Sequence, residues 1–276
     1  MAWRADLKLD YTCESNRSVA RYLHSGPLRI LQSLYPEGDG ICHNVLVHPP
    51  GGLVGGDTLD IQVSVAPGAH GLVSTPGATR FYKSGGHAAA QQVQAHVAAD
   101  ARLEWLPLEA IAYNGCEATN RAVFHLAPGA ELMAWDVTAL GMPSSDLAFE
   151  QGHFKQHLEI PGAWLERATL QGHDTRWLNS PIGLAGHKCM ATLIFAAGSD
   201  LAADRTEPAL AVARAVLEAH DLKLQSGASL AHPQVLVLRV VAPLVEPAMD
   251  LLRQVWAEWR HSLWALPSTP PRIWNV

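Results

Sequence analysis

A mainly β fold is what the sequence predicts: a layered, β-solenoid-like stack of hairpin units with a small C-terminal α/β part carrying about two helices. Three observations carry this expectation. In residues 59–65 the apolar side chains Leu59, Ile61, Val63 and Val65 alternate with Asp60, Gln62 and Ser64, the period of a strand with one buried face. Pro and Gly punctuate the surrounding chain at Pro49-Pro50-Gly51-Gly52, Gly55-Gly56-Asp57, Pro67-Gly68 and Pro76-Gly77. Pro fixes one backbone angle and Gly permits positive φ, so these are turns. Third, Val65-Ala66-Pro67-Gly68-Ala69-His70 resembles Val97-Ala98-Ala99-Asp100-Ala101-Arg102 and Leu126-Ala127-Pro128-Gly129-Ala130-Glu131. The spacing of about 30 residues is that of stacked supersecondary units.

The elements follow in order. Residues 3–11 alternate weakly and open the chain as a strand. Residues 26–34 form another, closed by the turn 35–40. Short apolar runs at 45–47, 59–65 and 71–74 are strands between the Pro/Gly turns. Residues 152–170 give two strands around Pro161-Gly162, residues 179–186 a loop, and residues 191–196 a buried strand. No helical periodicity is found from residue 40 to about residue 200. Beyond that the character changes. Residues 207–220 have apolar side chains at helical spacing, with Pro208 near the start. Residues 234–241 are a continuous β-branched and Leu run. Residues 247–264 are the clearest helix, with Met249, Leu252, Val255, Trp256, Trp259 and Leu263 on one stripe. That stripe is either core or a partner interface. The chain 1–276 reads as one domain, with a β-rich body (1–200) and a strand-and-helix C-terminal part (201–276).

Composition excludes several function classes. Net charge is −6 with His neutral and no Lys/Arg cluster occurs, which argues against nucleic acid and anionic membrane. Charged residues are only 17%, so either some surface is covered by partners or the chain is merely rich in Ala. The four cysteines are far apart without a CxxC, which disfavours a structural zinc site. The mixed N-terminus has no apolar signal-peptide core, and the apolar runs fall short of the roughly 18 residues of a membrane span. A cytoplasmic protein with reduced thiols is the simplest expectation.

Among residues able to carry chemistry, acidic side chains inside apolar strands are the most informative: Glu104, Asp136 and Glu166, with Asp57 closing the double-glycine turn. A lone buried carboxylate is costly, so each is paired, hydrogen-bonded or wet. The plain alternative is a strand whose polar face meets solvent or an Arg. The sharper one is a water-filled interior passage lined by carboxylates, open to a divalent cation. His153 and His157 share a strand face, and Cys42 and His43 point to opposite faces; these four are weak metal candidates without an HExxH. A stable cofactor is not expected, though transient nickel contact suits imidazole and carboxylate. The glycines lack the GxxxxGK[ST] and GxGxxG patterns and have a structural role. No GxSxG nucleophile is present, while a carboxylate pair leaves a glycoside hydrolase open.

The stretches CHNVLVHPPGGLVGGD (42–57), TPGATRFYKS (75–84), LEWLPLEAI (103–111), AWDVTALGMP (134–143), WLERATLQG (164–172) and PRIW (271–274) resemble, in order and over nearly the whole chain, the UreD (UreH) family of urease accessory proteins. The resemblance implies a β-rich non-enzyme that binds the urease apoprotein and the helical partner UreF, and through UreF the GTPase UreG. It implies a nickel-carrying tunnel lined by Asp57, Asp136 and Glu166, to which Glu104 is added here. It marks the turns holding Pro49, Pro50, Gly51, Gly52, Gly55, Gly56, Pro76 and Gly77 as signature stretches, structural and interfacial.

Overall fold

The computed structural model describes residues 2–275. The alternation at residue 59 becomes the strand Thr58–Val65, with Leu59, Ile61, Val63 and Val65 buried. Ala89–Val97 and Cys116–Leu126 repeat the pattern and lie beside it in parallel, Thr58 opposite Ala90 and Ala118 opposite Ala89. A tight turn ends each strand: the N–H groups of Ala69, Ala101 and Ala130 donate to the carbonyls of Ala66, Ala98 and Ala127. The chain then enters a second sheet through His70–Ser74, Arg102–Leu106 and Glu131–Leu140, again mutually parallel. Each turn of the sequence repeat is thus one coil of a solenoid. The strands of a coil pair with their counterparts in the next coil rather than with each other. The mainly β, solenoid-like expectation is borne out.

The coils build a seven-stranded outer sheet and an eleven-stranded central sheet. The flanking pairs in both sheets are antiparallel. In the outer sheet Arg4–Glu14 pairs with Arg17–His24, and Gly152–Ile160 with Trp164–Gln171. In the central sheet Arg29–Leu34 pairs with Cys42–Val47 at one end. At the other, Cys189–Ala197, Val235–Ala242 and Ser226–His232 follow one another antiparallel.

The two long C-terminal helices cover the far face of the central sheet. α1 (Thr175–Asn179) is a single turn in a region read as helix-free, capped by the Asp174 carboxylate on the Trp177 N–H. α2 (Ala203–Ala219) starts four residues before the expected 207, since Arg205 and Thr206 N–H donate to Ala202 C=O and carry the first turn past Pro208. α3 (Val245–Trp264) buries its stripe. Met249, Leu252, Val255, Trp256, Trp259 and Leu263 pack with the central sheet, so the stripe is core. Burial of such side chains stabilises by roughly 1.5–3 kcal/mol each. No helix among the described residues is long and apolar enough to cross a membrane.

Strand parity decides what each residue sees. In Glu131–Leu140, Leu132, Ala134 and Leu140 face the space between the sheets, whereas Met133, Trp135 and Val137 face the helices. Asp136 and Thr138 therefore point between the sheets. Glu104 is the register partner of Met133, which puts it on the helix side.

Candidate functional site

A polar stripe crosses the largely apolar space between the sheets. On the outer sheet, Gln91, Asn120 and Gln156 are consecutive cross-strand partners. Their inward-facing neighbours along the strands are Ala89, Val93, Ala118, Ala122, Phe154 and Leu158. On the central sheet, Asp136, Thr192 and Arg239 form a second cross-strand row. Glu166, on the edge strand of the outer sheet, reaches across to the second row.

Hydrogen bonds link the stripe. Thr79 Oγ1 donates to Gln91 Oε1 (3.4 Å), Gln91 Nε2 to Asn120 Oδ1 (3.1 Å) and Asn120 Nδ2 to Asp136 Oδ2 (3.0 Å). Thr138 donates to the other Asp136 oxygen at 3.1 Å. Thr192 Oγ1 donates to Glu166 Oε2 at 2.8 Å, and the half-exposed Arg239 to Glu166 Oε1 at 3.1 Å. Asp136 lies deep between the sheets but is not fully covered by its neighbours. Gln156 Oε1 beside it is buried without a hydrogen-bond partner.

Both ends of the stripe open into cavities. One, of about 190 Å³, is lined by His48, Gly51, Thr75, Pro76, Gly77, Thr79 and Gln91 among others. The other, of about 550 Å³, includes Arg239 and is rimmed by Trp177, Ile182 and Leu224. Ile182 and Leu224 are 98% and 89% exposed.

Burial pushes the Asp136 carboxyl up to about 7, and the nearby Glu166 charge pushes the same way against hydrogen bonds from Thr138 and Gln156. A carboxyl raised above its unfolded value of about 3.9 contributes stability that is complete at low pH and lost as pH rises through the folded value. Asp136→Asn removes that loss. The variant is expected to gain stability over the wild type by about 2 kcal/mol more at pH 8 than at pH 5, a figure discounted because Asp136 is not fully covered. Urea denaturation at both pH values measures it; an equal gain at both contradicts the buried-acid assignment.

The other expected site residues lie elsewhere. Asp57 is 1% exposed and accepts from the Trp3 and Val54 N–H groups at 3.1 and 3.0 Å, tying the first strand to the double-glycine turn. Glu104 lies on the helix side of the central sheet. Its Oε1 accepts from His70 Nε2 (2.9 Å) and its Oε2 from Trp256 Nε1 (2.7 Å). Arg260, fully buried on α3, stands 3.5 Å from Glu104 and bonds Glu37 at 3.1 Å. Its Nη1 lies 2.9 Å from Glu37 Oε2, close enough for an ion pair but not aligned as a hydrogen bond. Burial, the largest influence on Glu104, pushes its carboxyl up; His70, Arg260 and Trp256 together outweigh it and leave the carboxyl below its ordinary value.

His43 donates to Glu37 at 2.8 Å in the same cluster, and Cys42 is buried with its Sγ on Asn44. His153 meets Glu117 (2.8 Å) and His157 meets Glu159 (2.7 Å), each ring engaged with its own carboxylate. Among the described residues no group of three or more His, Cys, Asp or Glu is placed to hold a metal.

Of the signature turns, Pro76 and Gly77 line the smaller cavity, and so does Gly51. Gly52 lies so close to Tyr82 that a Cβ would stand 2.3 Å from its ring, and Gly56, at φ +92°, would meet Ala2 at 2.7 Å. Pro49 and Pro50 are exposed. Gly55 leaves no room either, its Cβ falling 2.7 Å from the His87 carbonyl oxygen.

A family profile described as "UreD urease accessory protein" matches residues 4–275. The chain is 61% identical over 276 residues to a "Urease accessory protein UreD" of Paracidovorax citrulli (strain AAC00-1), covering all of both chains. It is 60% identical to that of Polaromonas naphthalenivorans (strain CJ2), again over the full length of both. To that of Leptothrix cholodnii (strain ATCC 51168 / LMG 8142 / SP-6) it is 49% identical over 278 aligned positions, with both chains fully covered.

Proposed function

Since the chain belongs to the UreD family of urease accessory proteins, we propose that its part in urease maturation is that of a non-enzymatic scaffold and nickel conduit. In this reading it stands between the UreF–UreG GTPase complex and the urease apoprotein. One observation carries the proposal. A polar stripe holding two neighbouring carboxylates runs from one cavity to another through a largely apolar interior.

The chemistry suits a cargo that has to be passed on. Oxygen donors of Asp136 and Glu166, with the amides of Gln91, Asn120 and Gln156, attract a divalent transition-metal ion without the thiolates that would trap it. Asp136 titrates near neutrality, so an entering cation displaces a proton and a returning proton helps release it. Asp57 and Glu104 are committed to local bonds and stand outside this path in the proposal. Nickel is cargo here, with no stable cofactor implied. The apolar rim of Trp177, Ile182 and Leu224 suits contact with a protein partner at that mouth.

The test is urease activity in cells that express the urease operon with nickel supplied, with and without this chain. Activity that depends on the chain is expected. Equal activity without it, with no other copy expressed, removes the maturation role.

A further inference from the structure

His96 and His125 stand outside everything described so far. They are register partners on adjacent parallel strands of the outer sheet, on its solvent face. Their rings stack at 4.6 Å between centroids and 7° between planes. Both Nε2 atoms lie near the same Gln94 side-chain amide nitrogen, at 3.4 and 3.5 Å, so the two ring nitrogens face the same side of the stack. The pair lines a surface groove of about 650 Å³ with Asp10 and Ser64, and Ser64 donates to the Asp10 carboxylate. Arg121 lies 3.8 Å from Glu159, which offsets its charge.

We propose that His96 and His125, with the Gln94 amide oxygen, form a surface site for a divalent transition-metal ion of the Ni²⁺, Cu²⁺ and Zn²⁺ class. Imidazole nitrogens select these borderline ions over Mg²⁺ and Ca²⁺, which prefer oxygen alone. Metal–nitrogen bonds of about 2.0–2.1 Å require the two Nε2 atoms roughly 3 Å apart. Neighbouring strands about 4.8 Å apart allow this after small side-chain rotations. Turning the Gln94 amide over brings its oxygen to the ion, and water fills the remaining positions. Lys8 beside Asp10 and Arg121 beside Glu159 leave the groove close to neutral, so the imidazoles carry the affinity. The site lies on the outer surface and is separate from the interior stripe, so it stands or falls independently of the conduit.

The full-length chain is titrated with Ni²⁺ by calorimetry and with Cu²⁺ by electron paramagnetic resonance. The wild type is expected to bind one equivalent with a two-nitrogen Cu²⁺ spectrum. His96→Ala and His125→Ala, both surface changes checked for fold by circular dichroism, are expected to weaken that equivalent roughly tenfold or more, the scale of losing a metal-site partner. The Asp136→Asn/Glu166→Gln variant, which tests the interior path through urease activation, keeps it. Unchanged affinity in both His variants overturns the site, as does a Cu²⁺ spectrum with a single nitrogen.

Discussion

Urease activation is expected to fall at least tenfold when Asp136→Asn and Glu166→Gln are combined, with the fold intact. Each amide can replace its carboxylate in the local hydrogen bonds. Asn at 136 still accepts from Asn120, and Gln at 166 still accepts from Arg239 while donating to Thr192. What disappears is negative charge between the sheets. A single carboxylate about 4 Å from a unit charge contributes about 4 kcal/mol at an effective dielectric near 20, and more for a divalent ion. A tenfold rate loss needs only about 1.4 kcal/mol, so a small fraction of that attraction suffices. The readout is urease activity at limiting nickel, with binding of the variant to its partners checked by co-purification. A variant that is folded, bound and fully activating sinks the conduit role of these residues. The pH-dependent stability gain of Asp136→Asn gives the complementary sign: the side chain that serves transport costs stability at neutral pH.

The second large effect is structural. Arg260→Met is expected to lower stability by about 3–5 kcal/mol, or roughly 10 °C in Tm, because it strands charge in the interior. Glu37, Glu104 and Arg260 have almost no solvent contact, and the helix cation sits between the two carboxylates. Without it, His43, His70 and Trp256 remain as donors but no permanent positive charge does. Adding Glu37→Gln and Glu104→Gln to the same chain is expected to recover much of the loss, since the penalty lies in unpaired charge rather than in the missing side chain. A single variant within about 1 kcal/mol of wild type in urea contradicts this account.

Much of the architecture was legible because it obeys local rules. The alternation of Leu59, Ile61, Val63 and Val65, the three small-residue turns and the stripe of α3 each report burial from one stretch of chain. The strands Arg17–His24 and Ser226–His232 were not legible, since as edge strands they bury little and show no alternation. The start of α2 was misjudged because Pro208 looks like a first-turn residue, whereas the preceding turn is held by Ala202.

The site was half legible. Asp136 and Glu166 stood out as acids in apolar strands, but the same signal marked Glu104, whose side of the sheet depends on register with a strand nearly 30 residues away. Asn120, Gln91, Gln156 and Arg239 were missed, though their parity was visible. Each occupies the inward position of a strand whose other inward positions are apolar. The pairing of Glu37 with Arg260 spans 223 residues and left no local trace.

The antiparallel pairs at the ends of the two sheets have a consequence for solubility. A solenoid of parallel coils presents at each end a surface that matches the next coil, and so a template for another molecule. Here the last parallel strands are covered by strands running the opposite way, Arg17–His24 and Trp164–Gln171 on one sheet, Arg29–Leu34 and Cys189–Ala197 on the other. At the ends of these two rows an incoming coil meets a strand of opposite direction. That opposes growth of the stacking that holds the chain together into a fibre.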